Sequence, residues 1–197
     1  MILSLFKKDP SLDAASALYA AAVEQARAPA LYADFGAPDT VEGRFELVTL
    51  HVYLILRRLK GEDPAVKKVA QKLFDVMFQN MDDSLRELGV GDLSIGKKIR
   101  KMAENFYGRV GAYEEALSGE AKNGAKDKGD GDALAMALGR NIFGDEAAPA
   151  ANAFARYVRA AAGFIEDQPA ARIAGGVVRF PALAEDAVQA QAGGDSR

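Results

Sequence analysis

His51 is the single histidine of the chain, and arginines stand seven residues before and after it, at Arg44 and Arg58. On a helix that spacing puts all three on one face, with Leu47 and Leu54 beside the line. Cations flanking an imidazole lower its pKa by like-charge repulsion and leave it neutral near pH 7. Three roles fit such a residue: a haem or metal contact, a hydrogen bond to a partner peptide, or a structural bond to a backbone carbonyl. A second group is Lys97, Lys98, Arg100 and Lys101, with Arg109 two to three turns further on. These cations occupy the first turns of a helix, where free N–H groups already carry positive partial charge. The placement costs roughly a few tenths of a kcal/mol per cation. Consecutive helical residues diverge, so the cations fan around two turns. Such a fan suits acidic lipid headgroups, ribosomal RNA or an acidic loop of a client protein, or else it is a plain solvated face.

Two weaker groups complete the candidates. Asp75, Asp82, Asp83 and Glu87 share one helix at spacings of seven and four. Paired carboxylates serve acid–base chemistry or hold Mg²⁺, as in a metal-dependent hydrolase, but no histidine or phosphate loop accompanies them. A solvated acidic face is the simpler reading. In Phe106-Tyr107-Gly108-Arg109, Phe106 fits a buried stripe and turns Tyr107 away from it. Gly108 and Gly111 each cost a helix about 1 kcal/mol against alanine, which is usually explained by close approach of another backbone. That backbone belongs either to a neighbouring helix or to a docked partner. No Ser/His/Asp order, dinucleotide fingerprint or P-loop is present, so no catalytic apparatus, metal site or cofactor is expected.

The elements that position these residues read as helices. Ser11 or Asp13 is the expected cap of a first helix reaching about residue 27, and Pro29 starts a further turn. A second helix, capped by Asp39 or Thr40, runs to about residue 60. It has an apolar stripe of Val41, Phe45, Val48, Val52, Ile55 and Leu59, and Leu47, Leu50 and Leu54 make its far side apolar too. A helix apolar on two faces is either central in the core or supplies a partner surface. Asp63 and Pro64 start a third helix that turns Val66, Val69, Leu73, Val76, Met77, Met81, Leu85 and Leu88 inward and stops at Gly89 and Gly91. The fourth covers 94–117, a flexible loop spans 119–131, and two shorter helices cover 132–142 and 147–165. A brief extended segment is expected at 176–181.

These patterns predict an all-α, single helical-bundle-like domain of about six helices over 11–182. Residues 183–197 read as a disordered tail, and 1–10 as a tail or a weak membrane anchor. The opening Met1-Ile2-Leu3-Ser4-Leu5-Phe6-Lys7-Lys8 is too short for a secretory signal, and its charges follow its apolar part. With 197 residues, 49% apolar and 27% charged, the composition is that of a globular protein. A net charge of −3 argues against a dedicated DNA or RNA binder. The absence of cysteine excludes disulfides and thiolate chemistry. No apolar run approaches the ~20 residues of a spanning helix, and a cytoplasmic protein is expected.

Three ordered pieces resemble the ubiquinol–cytochrome c chaperone family. They are Pro38-Asp39-Thr40 leading into Gly43-Arg44-Phe45 and Leu50-His51-Val52; Met81-Asp82 with Leu85-Arg86-Glu87-Leu88-Gly89-Val90-Gly91-Asp92; and Lys97-Lys98 through Phe106-Tyr107-Gly108-Arg109 to Tyr113. The likeness covers about 34–117 and continues more loosely towards Phe180. It implies an all-helical, non-enzymatic chaperone or assembly factor for ubiquinol–cytochrome c reductase. Mitochondrial members bind newly made cytochrome b and, with a small accessory protein, associate with the ribosome. The partner expected for this chain is therefore the cytochrome b apoprotein, with the ribosome or a small accessory protein as further partners. The expected setting is bacterial and cytoplasmic, peripheral at the inner membrane. Arg44, His51, Arg58, Lys97, Lys98, Arg100, Lys101, Tyr107 and Arg109 are the expected partner-binding residues. The alternative is a haem-handling protein with His51 as axial ligand.

Overall fold

A computed structural model describes residues 9–123 and 132–183. Among them every regular element is helical: α1 (Pro10–Ala26), α2 (Pro29–Ala33), α3 (Val41–Arg58), α4 (Pro64–Glu87), α5 (Asp92–Asn123), α6 (Ala133–Leu138), α7 (Pro149–Glu166) and α8 (Ala170–Ala174). A π-helical turn, Gly139–Phe143, continues α6. The two five-residue helices α2 and α8 raise the count above the six that periodicity shows, because a single turn is too short to display a period. The expectations for 1–8, 124–131 and 184–197 lie outside the described residues.

Aspartate–proline and threonine caps set the helix starts. Asp9 Oδ1 accepts from the Ser11 N–H at 3.1 Å with Pro10 in the first turn, so the cap falls before both expected positions. The same device, Asp63 with Pro64, opens α4 as predicted, accepting from Ala65 at 2.8 Å and Val66 at 3.0 Å. Of the two caps proposed for α3, Thr40 serves, accepting from Gly43 at 3.0 Å. Asp39 instead pairs with Arg44 at 2.6 Å. Gly43 is demanded by crowding, since a Cβ there would lie 2.1 Å from the Pro38 carbonyl oxygen. Gly89 ends α4 in a left-handed conformation, φ 77°. The Val90 N–H reaches back to Leu85 O at 3.0 Å and that of Gly89 to Arg86 O at 2.9 Å, a Schellman closure. The chain then turns directly into α5, two residues earlier than the periodicity indicates.

Helix α3 is central, packed against α1, α4, α5 and α7. Its second apolar face is thereby explained: Leu47, Leu50, Val52, Leu54 and Ile55 are all buried. Each such side chain contributes about 1.5–3 kcal/mol on leaving water. Helix α5 continues to Asn123, past the expected end at Leu117. Residues 177–183 follow α8 without forming a strand. Gln168 holds this segment in place, donating to Arg179 O at 2.8 Å and accepting from the Arg179 N–H at 2.9 Å. Phe180 then lies edge-on to His51, with ring centroids 5.2 Å apart.

Candidate functional site

Helices α1 and α2 form one side of an open groove of about 1100 Å³, and the start of α3, the end of α4 and the middle of α5 form the other. Its apolar lining comes from Tyr19, Tyr32, Phe45, Val48, Met81, Leu85, Leu88 and Met102. Tyr19 donates to Asn80 Oδ1 at 2.9 Å and ties α1 to α4 along one wall. Tyr32 donates to Ala26 O at 2.8 Å, which pins α2. Val41 and Leu88 were expected to face inward on their stripes, yet each is 69% exposed. The reason is shared: both lie at helix ends where the stripe runs past the last packed neighbour. The groove therefore continues the apolar core outward.

Charged groups edge and floor it. Arg27, Arg44, Asp39 and Glu42 stand on the rim, so its charge is mixed. At the floor Arg109 of α5 is bonded to Glu46 of α3. Glu46 is 7% exposed. Burial pushes its carboxyl up, and the Arg109 guanidinium beside it pulls back. Glu46 and the groove aromatics escaped notice as site residues because each reads as an ordinary position on an amphipathic helix. Only the meeting of several helices reveals them.

The predicted residues fall into five places. Arg44 and Arg109 both line the groove. His51 lies in the core, fully buried, its Nδ1 2.7 Å from Leu47 O and its Nε2 2.7 Å from Tyr157 Oη. The carbonyl only accepts, so Nδ1–H donates to it and Nε2 accepts from the tyrosine hydroxyl. Both ring nitrogens are thus engaged, and the haem-ligand reading has no free nitrogen to rest on. The imidazole is neutral as expected, but for another reason. Burial lowers its pKa to about 4, opposed by the Leu47 bond, whereas the arginines seven residues away look elsewhere. Arg58 pairs with Glu62 at 2.7 Å and donates to Gln168 O at 3.0 Å, remote from the groove.

Lys97, Lys98, Arg100 and Lys101 are exposed in the second and third turns of α5, past the free N–H groups of its first turn, because the helix begins at Asp92. Tyr107 is 63% exposed on the outer side of α5, its ring 5.7 Å from Phe74. Among the described residues no backbone approaches Gly108 or Gly111, and a Cβ at either would meet nothing within 4 Å. Intramolecular helix packing therefore does not explain these glycines. Three of the four α4 acids are spent on local pairs, Asp82 with Arg86 at 2.6 Å, Asp83 with Gln79 at 3.0 Å and Asp75 with Gln71 at 2.9 Å, and Glu87 is exposed at the helix end. Among the described residues no cluster of three or more His, Asp or Glu side chains is placed to hold a metal.

Fold and site together define an all-α protein with an open apolar groove whose edges are charged. The chain belongs to the ubiquinol-cytochrome C chaperone family, whose model matches residues 33–180. It is 25% identical over 130 residues to the ubiquinol-cytochrome-c reductase complex assembly factor 1 of Xenopus laevis, and 27% identical to the human protein of that name. These matches take in 66% of this chain but 60% and 40% of the respective relatives, so it spans only part of their length. A crystal structure of the Cbp3 homolog from Brucella abortus superposes with a TM-score of 0.76 at 38% identity, covering 92% of this chain and 97% of that one.

Proposed function

We propose that this chain is an assembly chaperone for ubiquinol–cytochrome c reductase that holds an apolar segment of newly made cytochrome b in the groove and transforms no substrate. The observation that carries this reading is the groove itself. An extended apolar lining that stays open to water is costly to expose and has the form that takes up the apolar face of a client helix. Arg44 on the rim would meet a polar flank of such a segment, and Val41 and Leu88 lengthen the lining at two helix ends. The names of the relatives support the reductase as the complex being assembled. In this reading the chaperone works at the cytoplasmic face of the inner membrane, where the client inserts. No described helix is long and apolar enough to cross that membrane. The ribosome and a small accessory protein are compatible partners that this reading does not require.

The test is genetic with a structural variant. Deleting the gene should lower cytochrome b and reductase activity, and restoring the wild-type chain should recover both. Replacing Met102 and Leu85 by glutamate puts carboxylates against the bound segment, which is expected to weaken client binding at least ~30-fold. That variant should fail to restore cytochrome b although its helical content is unchanged. Normal cytochrome b and reductase activity in the deletion strain would refute the proposal.

A further inference from the structure

We propose that the turn between α4 and α5 is a separate binding site, for the surface of an anionic lipid bilayer. The proposal stands apart from the groove reading. Leu93, in the first turn of α5, is 96% exposed, and Leu88 before it is 69% exposed. At helical spacing Lys97 and Arg100 fall on the same face as Leu93, with Lys101 beside them, while Ile95 and Phe106 hold the opposite side in the interior. The exposed leucine is thus followed along one exposed face of α5 by cations. Among the described residues no acid lies within 4 Å of Lys97, Lys98 or Arg100. Lys101 reaches Glu104 only at 3.6 Å. Arg86 holds Asp82 at 2.6 Å and Asp92 at 2.5 Å, and among the described residues the exposed Glu87 forms no ion pair with any of these four cations.

Charge distribution gives the contact a direction. Residues 86–101 contain five cations and two acids, in a chain whose total is −3. The remainder is therefore strongly acidic, so an anionic surface would repel the body and attract this end. A bilayer uses both features of the tip, the cations at the headgroups and the leucines just beneath them. RNA would satisfy the cations and leave two exposed leucines without a role. The Schellman closure at Gly89 keeps the turn in one conformation, ready for a surface contact. Leu88 also lines the groove, so a membrane-seated tip would bring the groove's end to the bilayer.

The chain has no tryptophan, so Leu93→Trp supplies a single reporter at the site. Vesicles of phosphatidylcholine alone, or mixed with phosphatidylglycerol, are the probes, with cosedimentation of the wild-type chain as the second readout. We expect a blue shift and sedimentation only with the anionic vesicles, both weakening as salt rises. Changing Lys97, Lys98, Arg100 and Lys101 together to glutamine should reduce partitioning about a hundredfold. Leu93→Ser should reduce it about fivefold with the charges intact. Absence of binding to anionic vesicles, or equal binding by the fourfold variant, would overturn the proposal. So would cation-dependent binding of polyuridylate by a chain that ignores both vesicle types.

Discussion

Arg109→Ala is expected to cost about 3–5 kcal/mol of folding stability, the usual penalty for breaking a buried ion pair on one side. The guanidinium comes from α5 and the carboxylate of Glu46 from the central α3, so the pair fastens two helices beneath the groove. Removing the arginine leaves a carboxylate with almost no access to water. That group escapes by taking up a proton. Burial already raises the Glu46 carboxyl, and loss of its cation raises it further. A raised carboxyl binds more protons folded than unfolded, so the variant loses stability as pH rises through the unfolded value. Urea unfolding should therefore show a larger deficit at pH 8 than at pH 5. The double replacement Glu46→Leu with Arg109→Met should regain most of the loss, because it leaves no orphaned charge. An equal deficit at both pH values would show that packing, not charge, is what the arginine supplies.

Lowering the pH from 7 to 5 should destabilise the wild-type chain by about 2 kcal/mol through His51 alone. The sign follows from its burial. Its pKa falls from 6.5 to about 4 in the folded state, so between those values the unfolded chain binds more protons. Stability is complete above about pH 6.5 and declines as pH falls towards about 4, below which both states are protonated. Structure supplies the reason: Nε2 accepts from Tyr157, whose oxygen also accepts from Gln25 Nε2 at 3.1 Å. A proton on Nε2 would set two donors against each other inside the core. His51→Gln cannot titrate and should flatten the slope over this window, at some cost in absolute stability. Urea midpoints at the two pH values measure it, and an unchanged slope in the variant would assign the effect to other groups.

Much of the architecture was legible because it rests on local chemistry. Thr40, Asp63–Pro64 and Gly89 act within a few residues of themselves, so caps and stops read directly from sequence. The double apolar face of α3 announced a central helix for the same reason: Leu47, Leu50 and Leu54 need a second neighbour to cover them. Asp9 was overlooked as a cap because Ser11 and Asp13 offered the same chemistry a turn later. The groove was only partly legible. Arg44 and Arg109 are 65 positions apart in the sequence, and only the crossing of α3 and α5 brings both to one lining. His51 shows the converse. A lone histidine between arginines invites a functional role, yet Leu47 and Leu54 beside it were the better guide, since a residue flanked by core leucines is carried inward with them. Gly108 and Gly111 meet no neighbour among the described residues, and nothing there accounts for them.

Photo-crosslinking tests the central claim most directly. With a photoreactive residue in place of Phe45, Leu85 or Met102, the chain expressed in its native cells should form a product with cytochrome b from all three groove positions. The same residue at Asn152, exposed on α7 away from the groove, should form none. Adducts from Asn152 but not from the groove, or cytochrome b missing from every product, would contradict the account.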